Sequence, residues 1–557
     1  MMLGLVERPG RSVRSTIVGL PAKEGPVTPN IAAIIRQHVS LEVRCIDRLY
    51  LHAYMPKLQT SGGLCYFLDD HLGHPIPSPA LFKPLHDRFV TAVQAFARRH
   101  DVPLIPFEPR QRKDDVVAEY RRRFTAREGV VVIGVAQEKM RSFKAHKRPG
   151  PGVHFDFSRQ SVAVNHYYFY VLDRDWGPAF LKIGTYLPYP VKLCLNGHEW
   201  VKQQLRRQRI SFESLDNGFL TCADPHGLQT TCDALAAADV QAFFDRWSHR
   251  LPWPMTPTDR AAGYDHRLAI CQLEVSLTHV FDRPVQGRHF FEAVIRENLD
   301  LGRPDRVGLL FPLRLTRATP PPAYGYRTRV ITDGVQPSLH VEYKASHVKQ
   351  YFKEDQALRT ETTINNPNDF YVTKGLDQLG HLRDLGASVN RKLLEVERLS
   401  QHCVLTQDAL DRLQQPSVEA GQRVSALRFG DPRVMAVLQA LTGFTHLPRG
   451  FHNRDLRPHV ASLLGRPYSA AQMTYDLRRL RLKGLIHRIP KTHRYTVTTY
   501  GLKVAFFYSK LYLRILRPHW TALLPADDAL PRPLRQALDQ LDTEIRKLHE
   551  EAALGAA

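Results

Sequence analysis

"SLHVEYKASHVKQYFKEDQALRTETTINN", residues 338–366, reads as three short β-strands with charged side chains at every second position and a closing run of Thr and Asn. Strand side chains alternate between faces. Leu339, Val341 and Tyr343 therefore point one way, and His340, Glu342 and Lys344 the other. What the polar face meets decides whether it is merely a wetted surface or one that grips a partner.

Outward from that stretch, the chain is punctuated by four Pro/Gly-rich segments, 146–154, 251–259, 316–325 and 414–422, which cannot continue a helix or a central strand. At 557 residues it is too long for a single core. The expected fold class is α+β multidomain. A mixed α/β part covers 1–150, a β-rich then helical part 151–320, and a three-stranded sheet plus helix 321–415. A helical unit follows over 430–518, then an amphipathic helix or short coiled coil over 530–557.

In the first part "LCYFL" (64–68) reads as a buried strand and residues 78–100 as a helix capped by Ser78, with Leu85, Phe89, Val93 and Phe96 on one stripe. "VVVIGV" (130–135), "VAVNHYYFYVLD" (162–173), "AFLKIGTY" (179–186) and "PVKLCL" (190–195) are β-branched or aromatic strands. A helix capped by Asn196 should follow; residues 264–300 and Leu376–His402 also read as helical.

Lys and Arg number 77 against 55 Asp and Glu, a formal charge of +22 that draws polyanions and favours nucleic acid as partner. The seven cysteines are scattered and never form a CxxC pair, which argues against a disulfide framework or structural zinc and for a reducing cytosol. No apolar run approaches the ~20 residues needed to cross a bilayer, so a soluble cytoplasmic protein is expected.

The most specific signal is C-terminal. "DPRVMAVLQALTGF" and "NRDLRPHVASLLG" are two helices, the second with Asn453 as cap and Gly465 as stop. Ser469 caps a third, in which Met473, Leu477 and Leu480 fall at i, i+4, i+7 and pack inward. That leaves Gln472, Thr474, Tyr475, Arg478, Arg479 and Arg481 toward solvent, on a face suited to base edges in a major groove. "LIHRIPKTHRYTVT" is a hairpin whose Lys491, His493 and Arg494 would meet phosphates. In element order and in "LRRLRLKGLIHRIPKTHRYTVT" this region resembles the winged helix-turn-helix superfamily, which implies DNA binding without naming a site. Further on, Leu534, Leu538, Leu541, Ile545 and Leu548 carry a/d spacing that would support a homodimer or a helix packed on its own chain.

Three constellations bear on chemistry. Asp333, Glu342 and Lys344 resemble a PD-(D/E)xK nuclease core, in which two carboxylates hold Mg²⁺ and a lysine stabilises developing charge; the proline before the aspartate is absent, and Gly334 suggests a turn. The ordinary reading of the same residues is a half-exposed sheet with cross-strand charge pairs. Asp173, Asp175 and Glu199, from "VLDRDWGP" and "NGHEW", could share a divalent metal, or could serve as a turn and a helix start. Lys349 and Lys353 flank Tyr351 on one strand face, a cation–aromatic platform for a nucleic-acid backbone.

Residues 164–200 and the stretch at 338–366 also resemble a family of bacterial proteins without an assigned activity, which implies a bacterial cytosol and no site residues. The expected function is DNA binding, with RNA as the alternative nucleic acid. The large α+β portion would add Mg²⁺-dependent nucleic-acid processing in a mobile-element or defence setting. The alternative is a non-enzymatic transcriptional regulator that senses a ligand or partner.

Overall fold

The strand β1 (Val39–Tyr54) is the axis of assembly, and β9 (Arg267–Phe281) lies antiparallel beside it along almost its whole length. The computed structural model describes residues 31–108, 111–149, 154–300, 326–333, 336–343, 345–401, 405–419, 421–442, 450–511 and 540. Among these, the other sheet strands are β2 (Leu104–Pro106), β3 (Gly129–Lys147), β4 (Phe155–Asp173), β5 (Gly177–Gly184) and β6 (Val191–Asn196). A small hairpin, β7 (Phe212–Leu215) and β8 (Gly218–Cys222), follows; β10 (Tyr326–Asp333), β11 (Gln336–Tyr343), β12 (Ser346–Lys353) and β13 (Ala357–Ile364) come after β9.

Eleven of these strands form one sheet in the order β10-β11-β12-β13-β9-β1-β6-β5-β4-β3-β2. All pairs are antiparallel except β2 with β3, so the sheet is mixed and the fold is α+β. The expected boundaries near 150 and 320 therefore do not separate cores. One apolar cluster takes in Leu51, Phe169, Leu193, Leu273, Val348 and Leu393. Across a pleated sheet, the buried side chains of neighbouring strands pack as one layer wherever those strands come from in the sequence.

Most local expectations hold. Ser78 caps a short turn leading into the helix Phe82–Arg99, whose Leu85, Phe89 and Val93 are buried. Asn196 Oδ1 accepts from Glu199 N and opens the helix Gly197–Gln208. Two expectations fail. "LCYFL" lies in helical turns spanning Ser61–His71, opened by Thr60, whose hydroxyl accepts from Gly63 N. Residues 267–281 are the strand β9, and only Pro284–Asp300 is helical. Leu273, Leu277 and Val280 fit a helical stripe as well as a strand. Because β9 is covered on both faces, polar alternation does not mark it.

The helix Leu379–Gln401 lies over β9 and β13. Helices Gly197–Gln208 and Pro225–Ala234 lie against β1. Beyond them, helices Pro432–Leu441, Asn453–Leu464 and Ala470–Leu482 and the hairpin Ile486–Arg488/Tyr495–Val497 enclose a second core with Leu456, Met473 and Leu485. The helix Thr499–Leu511 joins the two cores: Leu502 and Phe506 belong to the main one, Val504 and Tyr508 to the smaller. Among the described residues no helix is long and apolar enough to cross a membrane. The a/d residues 534–548 and Lys344 lie outside the described residues.

Candidate nucleic-acid interface

The helix Ala470–Leu482 is set by a reciprocal cap: Ser469 Oγ accepts from Gln472 N at 3.2 Å, and Gln472 Oε1 accepts from Ser469 N at 2.9 Å. Gln472 is thus occupied in holding the helix start. The cap on the preceding helix is His452, with Asp455 reaching back, and Asn453 is its first residue. Asn453 Nδ2 instead donates to Thr474 Oγ1 at 2.9 Å and ties the two helices together.

The third helix carries one carboxylate, Asp476, and it is buried. It accepts from Arg433 Nε at 2.9 Å, Arg479 Nη1 at 3.0 Å and the Tyr468 hydroxyl. Arg479 is therefore not an outward cation. It is 6% exposed, and it also donates to the Ala426 carbonyl. The i+3 step from Asp476 places its guanidinium on the inward side. Arg478 is half-buried and donates to Gln422 Oε1 at 3.1 Å, while the Tyr475 hydroxyl meets Ser425 Oγ at 2.6 Å.

Arg481 and Lys491 are exposed and meet no side-chain partner among the described residues. Lys491 stands at the hairpin tip with φ +57°, and exposed His493 lies 3.4 Å from Arg488. Arg494 does not reach outward in the same way, because its guanidinium stacks over the Tyr371 ring at 5.6 Å. Sequence reading missed Arg488, which is exposed and pairs in register with Tyr495. Its place one rung from the tip is legible only once the register is known.

On the sheet, Lys349 lies 4.2 Å over the Tyr351 ring, and Lys353 pairs with Glu354 at 3.1 Å. Their face is closed at one end: Asp216 N in the β7–β8 turn donates to Glu354 Oε1 at 3.1 Å. Arg359 beneath it is fully buried, donating to the Asn217 carbonyl and Asp47 and, at 3.0 Å, to His198 Nε2. Burial disfavours the Asp47 charge, but Arg359 and His198 outweigh it and hold the carboxyl down at about 2.

Neither carboxylate set assembles as a metal site. Asp333 pairs with Gln336 and Glu342 with Arg327, so the two lie six residues apart along β10, from 327 to 333. That is about 20 Å of strand. The charges of Asp173, Asp175 and Glu199 are already met, and the contact of Asp175 with the Gly197–Gln208 helix is at its last turn, through Arg207. Asp173 accepts from Arg246 Nε at 3.0 Å and Trp247 Nε1 at 2.8 Å. Asp175 pairs with Arg246 at 2.8 Å and with Arg207, and Glu199 with Lys202 at 2.8 Å. Among the described residues no group of three His, Cys, Asp or Glu is placed to hold a metal ion. The chain matches no family model, no curated protein and no solved structure.

Proposed function

We propose that the chain binds nucleic acid and attaches to duplex DNA through residues 430–511, used as a winged helix. One observation carries the reading. The helix Ala470–Leu482 turns its single carboxylate inward, while Arg481, Arg488, Lys491 and His493 stay exposed on that helix and the adjoining hairpin. A surface of that sign attracts phosphates. The buried free thiols of Cys45 and Cys232 fit a reducing cytosol. Because Asp173, Asp175 and Glu199 are neutralised by Arg and Lys, we favour attachment without metal-dependent cleavage. On this reading the α+β body serves as a regulator's partner-sensing portion and not as a nuclease.

The test is fluorescence anisotropy with duplex DNA across a salt series. Arg481→Ala with Lys491→Ala should weaken binding and lower the salt slope by about two, roughly one per lost phosphate contact. Absence of duplex binding at about 50 mM salt, where such contacts are strong, would remove the proposal.

A further inference from the structure

The polar side of the sheet is not closed along its whole length. Register aligns side chains across strands into rows, and two rows run from β4 through β5 and β6 to β1. In one, Tyr168, Lys182, Lys192 and His52 are successive partners; in the next, Tyr170, Phe180, Cys194 and Tyr50. At the β4 end Tyr168 and Tyr170 are buried with Phe107, Val116, Val117 and Tyr120, the last three from the helix Lys113–Arg123. At the β6–β1 end the rows emerge. Lys192 and Arg48 are exposed, and Tyr50, His52 and Tyr54 are half-exposed. The rings of His52 and Tyr54 stand 5.9 Å apart.

The charges around this end are one-sided. Ala269, the β9 partner of His52, also bridges Gly375, which brings exposed Lys374 beside the row. Burial and three cations, Lys192, Arg159 and Lys374, push the His52 imidazole down to about 4, so the ring is neutral at physiological pH. Lys192 and Lys374 meet no side-chain partner among the described residues. The carboxylates of this face lie to either side. Glu138 is engaged by Lys113 and Lys182, and Glu274, near Arg48, is pushed up to about 7 by burial and Asp47. Flat rings between unneutralised cations match the way single strands are held, with bases stacked and phosphates paired.

We propose that Tyr50, His52, Tyr54, Arg48, Lys192 and Lys374 form a binding surface for a single-stranded nucleic acid, separate from the C-terminal unit. The duplex-binding proposal can fail without affecting it. A wet sheet face would scatter charge of both signs; here Lys192 and Lys374 collect beside the tilted His52 and Tyr54 rings, and Glu138 is paired with Lys113 and Lys182.

Full-length protein is titrated with labelled oligothymidine and oligouridine of about 20 nucleotides, and with duplex DNA. The charge reversal Lys192→Glu with Lys374→Glu, at two exposed positions, should lower single-strand affinity roughly tenfold or more and leave duplex affinity unchanged. The ribose and deoxyribose arms decide which strand is preferred. Ultraviolet crosslinking of a bromouracil strand should label the peptide containing Tyr50 and Tyr54. Wild-type affinity in the double variant, an equal loss for duplex, or crosslinks confined to the C-terminal unit would each overturn the proposal.

Discussion

Glu397, on the helix Leu379–Gln401, is buried where its Oε2 accepts from Gln350 Nε2 at 3.1 Å, and burial pushes its carboxyl up to about 8. Above about 4.5 the unfolded chain releases a proton that the folded state keeps, so this residue makes stability fall as pH rises from there toward 8. Glu397→Gln should flatten that part of the curve and raise stability near pH 9 by a few kcal/mol. Urea unfolding at several pH values measures it; an unchanged slope would show that the carboxyl ionises inside the fold at no cost. No sequence pattern marks such a residue. Glu397 follows the apolar stripe Leu382, Leu385, Val389 and Leu393, and a charged side chain there reads as solvent-facing until β12 and β13 are known to lie underneath. Asp173 was legible as a candidate carboxylate at a strand end, whereas the arginine that consumes its charge comes from residue 246.

At the scale of the element, the third C-terminal helix shows how far local pattern carries. Its cap, its inward face of Met473, Leu477 and Leu480, and the hairpin after it follow from spacing alone. The partition of its arginines does not, because it depends on segment 422–426 lying alongside. Arg479→Ala would leave Asp476 with less compensation and the Ala426 carbonyl without that donor, a loss of roughly 2–4 kcal/mol. Thermal melts should register that loss, whereas Arg481→Ala should change binding with little effect on the melt. If both variants melt alike, the inward position of Arg479 carries no energetic weight. β9 marks the limit of the same reasoning. Its apolar residues suit both periods, and only its neighbours β1 and β13 decide in favour of strand.

For the whole molecule, the decisive fact is that the sheet joins distant parts of the chain. Val39 pairs with Phe281, and β9 pairs in turn with β13, ending at Ile364. Proline- and glycine-rich segments looked like domain edges because they do end elements, but the strands they separate reunite in one layer. A fragment ending near residue 250 should therefore be insoluble, since β1 would keep one edge open; recovery of soluble, protease-resistant fragment would contradict this. During synthesis the same edge has to wait. The β9 partner of β1 emerges more than 200 residues later, on the order of tens of seconds of elongation. For that interval a strand whose Leu41, Val43, Ile46 and Leu49 are buried in the finished fold keeps an unpaired edge on the ribosome, open to edge-to-edge association until β9 is made.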